Sequence, residues 1–457
     1  MDSIKKVVDD QRAYFLSGET KSIDFRKKQL NILKKAIQKN ELAIMAALKK
    51  DLNKSAFEAY ATEIGIVLEE IGFMLKNIER LAKSKRVKTP ITQFLSSSRV
   101  YQEPYGVVLI MSPWNYPFQL TLVPLVAAIA TGNCAMIKPS NYSPHTSKLI
   151  GEIISSHFDS GYISFTEGGR EANESLLEQK FDYIFFTGSV AVGKTIMAKA
   201  AAHLTPVTLE LGGKSPCIVD KTANINLAAR RIAWGKYLNA GQTCVAPDYL
   251  VIHESIKDEF IKALQKNIIK MYGKNPLNNN DYPKIINKKH FDRLTGLINE
   301  QNVIIGGKSD LLTNQIEPTV LDPVGWEDVI MQEEIFGPVL PIIVFRELSE
   351  VVKKVSQRPK PLALYLFTTS KQNEKIIIDG LSFGGGCIND TVVQVASSYM
   401  AFGGVGESGM GSYHGEASFR TLSHCKGVLK KSNKLDICLR YPPFNDAHLK
   451  RVKKIMK

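Results

Sequence analysis

Cysteine is scarce in this sequence and is not arranged for cross-linking. The 457 residues contain only six cysteines, and no two of them form a CxxC pair. Cysteines this few and this widely spaced exclude a small protein held together by a disulfide framework. They favour a reducing compartment in which the thiols stay free. The six stand at positions 134, 217, 244, 387, 425 and 438.

Long hydrophobic runs are also missing. The most apolar stretch, residues 118–137, is interrupted by Pro124, Gly132 and Asn133. A membrane-spanning helix needs about 20 continuous apolar residues, so we expect none here. The first residues lead into charged side chains rather than into the apolar core of a signal peptide. We therefore expect a globular cytoplasmic protein.

Positive charge is concentrated at one end of the chain. The formal net charge is +14, and residues 426–457 contain ten Lys and Arg against two Asp. A nucleic-acid-binding domain more often carries a basic face throughout, so no nucleic-acid partner is expected. We interpret the basic end as a solvated tail. The alternative is a short amphipathic helix in weak peripheral contact with an anionic membrane, with an apolar face of Leu449, Val452, Ile455 and Met456.

Strand and helix patterns alternate through most of the chain. Residues 1–85 carry apolar positions at helical spacing among lysines, which predicts helices. Short apolar runs then alternate with helical stretches, which predicts parallel sheets covered on both faces. The glycine-rich region 384–415 is predicted to be loop. The predicted strands lie at residues 107–111, 135–137, 163–165, 183–186, 218–219, 249–252, 339–344 and 364–368.

A candidate phosphate-binding loop follows the apolar run at 183–186. Residues 188–195 read GSVAVGKT and fit the pattern GxxxxGK[ST] of P-loop enzymes at every fixed position. Such an enzyme also needs an acidic residue for Mg²⁺, and Asp220 is the only nearby candidate. A strand, a glycine turn and a helix can equally hold the pyrophosphate of a dinucleotide. The loop predicts phosphate binding and leaves ATP and a dinucleotide as alternatives.

Three side chains have surroundings that suit catalysis. Cys244 lies in the polar segment 239–247, whereas structural cysteines usually lie among apolar neighbours. Glu210 lies in an apolar strand-like run, where burial would raise its pKa and suit it to act as a general base. Asn115, in a stiff turn between two prolines, has an amide that could stabilise an oxyanion. The alternatives are a structural role for Cys244 and an outward-facing strand position for Glu210, and Asn115 alone is weaker evidence than Glu210.

Taken together, these segments resemble the aldehyde dehydrogenase superfamily. The matching motifs occur in the family's order and span nearly the whole chain, so the joint match is far more specific than any single motif. They are PWNYP (113–117), IKPS (137–140), FTGSVAVG (186–193), LELGGKSP (209–216), GQTC (241–244), EEIFGPV (333–339) and AFGG (401–404). The greatest similarity is to the class 3 branch, which includes fatty-aldehyde enzymes and forms dimers. The segments that resemble it are SPCIVDKTANINLAARRIAWGKY (215–237), RPKPLALYLF (358–367) and GMGSYHG (409–415).

The resemblance implies an α/β fold with a Rossmann-like dinucleotide-binding domain, an α/β catalytic domain and a small β arm for oligomerisation. Residues 1–83 and 104–210 would form the first domain, and residues 211–395 the second. Residues 84–103 and about 396–425 would form the oligomerisation arm of a homodimer. The basic tail would follow from residue 426 to the C-terminus.

The resemblance also implies NAD(P)-dependent oxidation of an aldehyde to the carboxylic acid, with no metal ion. Cys244 would attack the carbonyl carbon, while the Asn115 amide and the Cys244 backbone N–H hold the oxyanion. Hydride transfer to the nicotinamide would leave a thioester, and Glu210 would activate the water that releases the acid. The coenzyme contacts would be Lys138 at the adenosine ribose, Glu334 at the nicotinamide ribose, and Asn141, Gly188, Ser189, Gly193 and Phe336.

One coenzyme contact departs from the family pattern. After residues 138–140 the family usually has a glutamate that accepts a hydrogen bond from the ribose 2′-hydroxyl, and this chain has Asn141. A carboxylate would repel the 2′-phosphate of NADP and a neutral amide would not, so NADP should be tolerated. Tyr116 and Phe402 match positions that line the substrate tunnel. Their aromatic faces suit a medium- or long-chain lipid-derived aldehyde, or an aromatic one.

Overall fold

The computed structural model describes residues 2–436 and 438–456 of the chain. Its α-helices are α1 (Asp2–Leu16), α2 (Ile23–Lys39), α3 (Glu41–Leu52), α4 (Ala56–Ala59), α5 (Gly65–Ala82), α6 (Gln119–Thr131), α7 (Pro144–His157), α8 (Arg170–Leu177), α9 (Val190–Ala201), α10 (Ile225–Tyr237), α11 (Lys257–Tyr272), α12 (Lys288–Thr295), α13 (Leu348–Ser356), α14 (Lys371–Gly380), α15 (Gly415–Thr421) and α16 (Asp446–Ile455). Its strands are β1 (Lys85–Val87), β2 (Ser96–Pro104), β3 (Val107–Met111), β4 (Cys134–Lys138), β5 (Ile163–Phe165), β6 (Tyr183–Thr187), β7 (Val207–Glu210), β8 (Pro216–Val219), β9 (Tyr249–His253), β10 (Val303–Ile305), β11 (Ser309–Asp310), β12 (Gln315–Ile316), β13 (Thr319–Leu321), β14 (Val339–Phe345), β15 (Ala363–Phe367), β16 (Gly385–Ile388), β17 (Gly409–Met410) and β18 (Ser423–Lys431).

Six strands form the first sheet, in the order β17-β7-β6-β3-β4-β5. All of its pairings are parallel except that of β17 with β7. The strand β3 reads VVLIM and is buried throughout, as expected for a parallel strand inside a helix-covered sheet. The apolar helix α6 packs against β3 and β4, and every one of its residues is buried. Among the described residues, no helix combines the length and hydrophobicity that crossing a bilayer requires.

Seven strands form the second sheet, in the order β10-β13-β14-β9-β8-β15-β16. Only β10 runs antiparallel to its neighbour, β13. The predicted strands at 218–219, 249–252, 339–344 and 364–368 correspond to β8, β9, β14 and β15. Two mainly parallel, helix-covered sheets confirm the predicted α/β fold class.

The strands β1, β2 and β18 form a separate antiparallel sheet, which corresponds to the predicted β arm. The tail boundary predicted at residue 426 is wrong, because β18 pairs with β2 along its whole length and ends only at Lys431. The region 396–425 is also not simply part of the arm, because β17 adds to the first sheet beside β7. This pairing needs a glycine at position 409, where φ is 147° and a Cβ would lie 2.2 Å from the Leu209 carbonyl oxygen.

The two large sheets are joined by the short link 211–215, between the end of β7 and the start of β8. The carboxyl edge of the first sheet therefore faces the amino edge of the second. Ligands of open α/β sheets bind beyond the carboxyl ends of the strands. The junction of the two sheets is consequently where a site is expected.

Candidate active site

The structure places the predicted catalytic and coenzyme residues at this junction. Those that end or follow strands of the first sheet are Asn115, Lys138, Asn141, Gly188, Ser189 and Glu210. Those that precede strands of the second sheet are Cys244, Glu334 and Phe336. Residues more than 200 positions apart in sequence thus meet because β7 and β8 are connected by one short link.

The loop that carries Cys244 has a constrained backbone. Asn239 and Ala240 have φ angles of 51° and 52°, a left-handed conformation that is uncommon for residues other than glycine. Gly241 continues with φ 73°, and a Cβ there would lie 2.2 Å from the carbonyl oxygen of Gly337. The loop is therefore packed directly on the segment that precedes β14.

Gln242 fixes the same loop through both ends of its side-chain amide. Its Nε2 donates to the carbonyl oxygens of Asn239 and Lys284, each at 3.0 Å. Its Oε1 accepts from the backbone N–H of Ile286 at 3.0 Å. The glycine and the glutamine of the GQTC motif therefore shape the loop, and the cysteine remains available for chemistry.

The Cys244 side chain is only partly buried, yet its surroundings keep it protonated at rest. Burial raises the pKa of Cys244 to about 12, and the negative charges of Glu334 and Glu210 act in the same direction. The backbone N–H groups of Cys244 and Val245 oppose this shift because they stabilise the thiolate. The resting site therefore holds a thiol near neutral pH.

Glu210 ends β7 as a buried carboxyl group. It is 2% exposed, and neither of its oxygens has a hydrogen-bond partner among the described residues. Burial raises its pKa well above the ordinary value. The alternative of an outward-facing strand residue is therefore wrong. A buried carboxyl with a raised pKa is, once ionised, a stronger base than an exposed carboxylate, which suits a general base.

Glu334 approaches the same junction from the second sheet. Its Oε2 lies 2.1 Å from the point that a Cβ on Gly212 would occupy, so the carboxylate packs directly against the backbone of the link between the two sheets. Burial raises the pKa of Glu334 to about 8, and the backbone N–H of Gly213 opposes that shift. Glu334 therefore gains its charge just above neutral pH, next to the Cys244 sulfur.

We expect Glu334→Gln to lower the pKa of Cys244, because it removes a negative charge that disfavours the thiolate. From about pH 9 to about pH 11, where Glu334 is ionised in the wild type, iodoacetamide should alkylate the Cys244 peptide faster in Glu334→Gln than in the wild type at each pH. Glu407→Gln is the matched control, since its carboxylate is exposed and pairs with Lys194 at the surface. An alkylation rate that is unchanged or lower in Glu334→Gln would show that this carboxylate does not act on the sulfur.

Asn115 lies in the turn between Pro113 and Pro117, just after β3. Its Nδ2 donates to the Gln242 carbonyl oxygen at 3.1 Å, which leaves the second N–H of the amide available. Its backbone carbonyl accepts from Asn239 Nδ2 at 2.8 Å. Both the side chain and the backbone of Asn115 are thus tied to the loop that carries the cysteine.

The N-terminus of α9 forms a cradle beside the first sheet. Ser189 Oγ accepts a backbone N–H from the first turn of α9 at 3.5 Å. Gly193 lets the helix approach β7, because a Cβ there would lie 2.7 Å from Leu211 Cδ2. The buried hydroxyl of Thr187 has no hydrogen-bond partner in the part of the chain that the structure describes, and Gly188 follows it. A helix N-terminus beside a glycine and an unpaired hydroxyl fits a phosphate-bearing group.

Lys138 and Asn141 lie at the end of β4. Lys138 is 3% exposed, and its Nζ donates to the Pro139 carbonyl oxygen at 2.9 Å. Burial lowers the pKa of Lys138 to about 8. Asn141 is exposed, and its Nδ2 would lie 3.5 Å from a Cβ on Gly169. This corner of the site presents one lysine and one neutral amide.

Aromatic side chains line the rest of the junction. The Phe336 backbone has φ 50°, and its ring packs edge-on against Trp114 at 5.4 Å. The Tyr116 hydroxyl lies 2.6 Å from the threonine hydroxyl of the GQTC motif. Phe402 packs edge-on against Tyr413 at 5.6 Å. Aromatic side chains therefore lie near the catalytic candidates in both sheet regions of the junction.

Sequence reasoning missed three residues of this region. Tyr413 lies in the GMGSYHG motif, and burial together with the nearby Glu210 raises its pKa well above the ordinary value. Lys54 and Glu63 form a fully buried ion pair at 2.6 Å. The quoted motif could have drawn attention to Tyr413. Nothing in the local sequence distinguishes Lys54 and Glu63 from exposed helical charges.

The structure contradicts the P-loop alternative. The helix α9 begins inside the motif, so Lys194 and Thr195 already lie on helical turns. The Lys194 ammonium is exposed and pairs with Glu407 at 3.5 Å, and Thr195 Oγ1 donates to its own helix backbone at 3.2 Å. Asp220 belongs to the second sheet region and is held by hydroxyl and amide donors. These residues do not form a Mg²⁺-nucleotide site.

The family model described as the aldehyde dehydrogenase family matches residues 2–428. The chain belongs to the aldehyde dehydrogenase family. A 4,4'-diaponeurosporen-aldehyde dehydrogenase of Staphylococcus aureus is 49% identical over 97% of both chains. A dimeric NADP-preferring aldehyde dehydrogenase of Canis lupus familiaris is 46% identical over 97% of this chain and 98% of its own. The mouse aldehyde dehydrogenase family 3 member B1 is 45% identical over 98% of this chain and 97% of its own. The resemblance to the class 3 branch is therefore confirmed.

A solved structure described as the substrate-bound state of Staphylococcus aureus AldH has a TM-score of 0.97 with this aldehyde dehydrogenase, at 48% identity and with 99% of each chain covered. The predicted reaction class and the NAD or NADP coenzyme are thus confirmed at the level of the family. The cradle at α9, Lys138 and the unpaired Thr187 hydroxyl fit such a dinucleotide. The roles of individual site residues remain predictions.

Proposed function

We propose that this aldehyde dehydrogenase oxidises apolar aldehydes through a thioester on Cys244. The observation that carries the proposal is the convergence of a partly buried cysteine, a buried unpaired glutamate and an oriented asparagine amide at one junction of two sheets. Each group supplies what one step of acyl chemistry requires: a nucleophile, a base and an oxyanion donor. No other cysteine of the chain has these neighbours among the described residues.

In this proposal, the Cys244 thiol loses its proton to water through its exposed side as the sulfur bonds to the carbonyl carbon. The free N–H of the Asn115 amide and the Cys244 backbone N–H stabilise the resulting oxyanion. Bound NAD or NADP supplies the hydride acceptor that makes the oxidation possible. Glu210 then takes a proton from water, which attacks the thioester and releases the acid and the thiolate.

Aromatic and lipid-derived aldehydes are the proposed substrates. The rings of Tyr116, Phe402 and Tyr413 supply apolar surface near the catalytic candidates: the Tyr116 hydroxyl contacts the GQTC threonine, and Phe402 packs against Tyr413. Apolar chains gain free energy when such surfaces are removed from water. The Staphylococcus aureus relative is named for one particular aldehyde, 4,4'-diaponeurosporen-aldehyde, which makes that compound a substrate to test.

The substrate proposal is tested by following NAD(P)H absorbance across short, long-chain, polyene and aromatic aldehydes. We expect kcat/KM to rise with apolar chain length, and Cys244→Ser to give no turnover with any of them. Equal or higher kcat/KM for short polar aldehydes would contradict the substrate class while leaving the reaction class intact.

We expect Asn141→Glu to raise the KM for NADP by roughly tenfold or more, because it places a carboxylate where a 2′-phosphate would lie. The KM for NAD should change little, since a glutamate can accept a hydrogen bond from the 2′-hydroxyl. Initial rates at varied concentrations of each coenzyme give the ratio of the two KM values. Asn141→Gln is the neutral control. Strict preference of the wild type for NAD, unrelieved at high NADP, would contradict this role of position 141.

A homodimer is the proposed assembly. The edge strand β18 of the arm and the edge strand β16 of the second sheet each have one side without a strand partner among the described residues. Unpaired strand edges are natural pairing surfaces between chains. The name of the canine relative, which describes it as dimeric, agrees with this assembly. Sedimentation of the purified enzyme should give the mass of two chains, and a monomer would contradict it.

Weak peripheral membrane contact through the C-terminal segment is the last part of the proposal, alongside a cytoplasmic location. In α16 and just after it, Leu449, Ile455 and Met456 are about half exposed or more, and Lys453 and Lys454 lie in the last turn. Such a helix can bind anionic lipid. Liposome flotation should recover the full chain with anionic vesicles and lose a variant that ends before Tyr441. If neither the full chain nor the truncated variant floats with the vesicles, the proposed membrane contact is wrong.

A further inference from the structure

A buried ion pair that takes no part in the proposed chemistry lies directly behind the Asn115 turn. The Lys54 ammonium and the Glu63 carboxylate are 2.6 Å apart, and both side chains are 0% exposed. Replacing such a pair with well-packed apolar residues is often neutral or stabilising, so stability alone does not explain why charges stand there. The other contacts of the two side chains indicate that they hold the Asn115 turn in place.

Glu63 holds the far end of the Asn115 turn. Its Oε2 accepts from the backbone N–H groups of Phe118 and Gln119, at 3.0 and 2.9 Å, where α6 begins. Glu63 itself lies in a π-helical turn, Tyr60–Ile64, and such turns are frequent at functional sites. The carboxylate thus caps α6 and fixes the first two residues after the turn.

Lys54 holds the near end of the same turn. Its Nζ donates to the Asn115 carbonyl oxygen at 3.2 Å and lies 3.9 Å from the centre of the Tyr116 ring. The Asn115 carbonyl also accepts from Asn239 Nδ2, and Asn239 Nδ2 contacts the Gln242 carbonyl oxygen at 3.2 Å. That same Gln242 oxygen accepts from Asn115 Nδ2 at 3.1 Å. A ring of hydrogen bonds therefore starts and ends on Asn115, with the Lys54 ammonium attached to it.

We propose that Lys54 and Glu63 form a positioning pair that sets the orientation of the Asn115 amide toward the reacting carbonyl. The inference rests on the proposed function, in which that amide stabilises the oxyanion. Glu63 fixes the backbone after the turn, and Lys54 fixes the Asn115 peptide itself. Donors aimed at developing charge lose much of their effect when they are displaced, because their advantage lies in being oriented beforehand.

The inference predicts that Lys54→Met lowers kcat by roughly ten- to hundredfold, since a displacement of about 1 Å can have an effect of that size. Coenzyme binding, followed by NAD(P)H fluorescence, and the iodoacetamide alkylation rate of Cys244 should stay near the wild-type values. A lysine to methionine change alone leaves the Glu63 charge buried and unpaired and can unfold the chain. The double variant Lys54→Met/Glu63→Gln removes both charges and should fold, yet show the same loss of kcat.

A double-mutant cycle separates positioning from a general structural effect. In an Asn115→Ala background, Lys54→Met and the double variant should lower kcat by less than about threefold, because groups that act through one another are not additive. Lys257→Met, which breaks the Lys257–Asp322 pair at 2.9 Å in the second sheet region, is the matched control and should leave kcat unchanged.

Three results would overturn the inference. Full kcat in the double variant, or losses that multiply with Asn115→Ala, would show that the pair does not act through the amide, while the proposed function would stand. An unchanged kcat in Asn115→Ala would instead remove the proposed oxyanion role of Asn115 and the inference together.

Discussion

Replacing Cys244 with serine is expected to lower NAD(P)-dependent aldehyde oxidation by roughly a thousandfold or more. A serine hydroxyl is a far weaker nucleophile, and the charged side chains that act most strongly on this position are the carboxyl groups of Glu334 and Glu210. The NAD(P)H absorbance assay with a long-chain aldehyde measures the loss. Coenzyme binding should persist, because the cradle at α9 does not involve the sulfur.

Two controls accompany this variant. Cys425→Ser removes an exposed cysteine on β18 and should retain full activity. Lys194→Ala removes the lysine of the GSVAVGKT motif, which points to the surface, and should also retain NAD-dependent turnover. Turnover that survives in Cys244→Ser and is lost in Lys194→Ala would mean that the chemistry has been assigned to the wrong segment.

Replacing Glu210 with glutamine is expected to lower steady-state turnover by roughly a hundredfold, the usual contribution of a positioned general base. Such a loss corresponds to about 2.7 kcal/mol of transition-state stabilisation. Because Glu210 acts on water after hydride transfer, the first turnover should remain fast. Stopped-flow mixing should show a rapid burst of NAD(P)H close to one equivalent per subunit, followed by a slow phase.

The control for this variant is Glu407→Gln, which removes an exposed carboxylate. It should show no burst beyond that of the wild type and no loss of the steady-state rate. If Glu210→Gln slowed the first turnover as much as the later ones, Glu210 would be acting before the thioester forms. An unchanged steady-state rate would exclude it as the base.

The candidate catalytic residues could be predicted from the sequence through the joint motif match, and two of them are also unusual in their local surroundings. Cys244 stands in a polar loop and Glu210 in an apolar strand, and both contrasts are visible without any knowledge of the fold. The role of Gly241 could not be predicted in the same way. It depends on a carbonyl oxygen at Gly337, almost a hundred residues further along the chain.

The residues that hold the site in place could not be predicted, because their partners are brought together only by the fold. Lys54 and Glu63 read as ordinary helical charges until α6 and the Asn115 turn surround them. The tail boundary at residue 426 was misplaced for a related reason: a basic run looks like a tail until it pairs with β2. The sequence of residues 188–195 likewise fits the P-loop pattern at every fixed position, yet the structure places its lysine on an exposed turn of α9.

The most direct test of the account is to look for the acyl group itself. Glu210→Gln enzyme is mixed with a long-chain aldehyde and NAD(P), quenched in acid within the slow phase, and digested with trypsin. The account predicts that the peptide spanning residues 237–257, which contains Cys244, gains the mass of the acyl group and loses it on treatment with hydroxylamine. An unmodified peptide at full burst amplitude, or an acyl group on another residue, would contradict it.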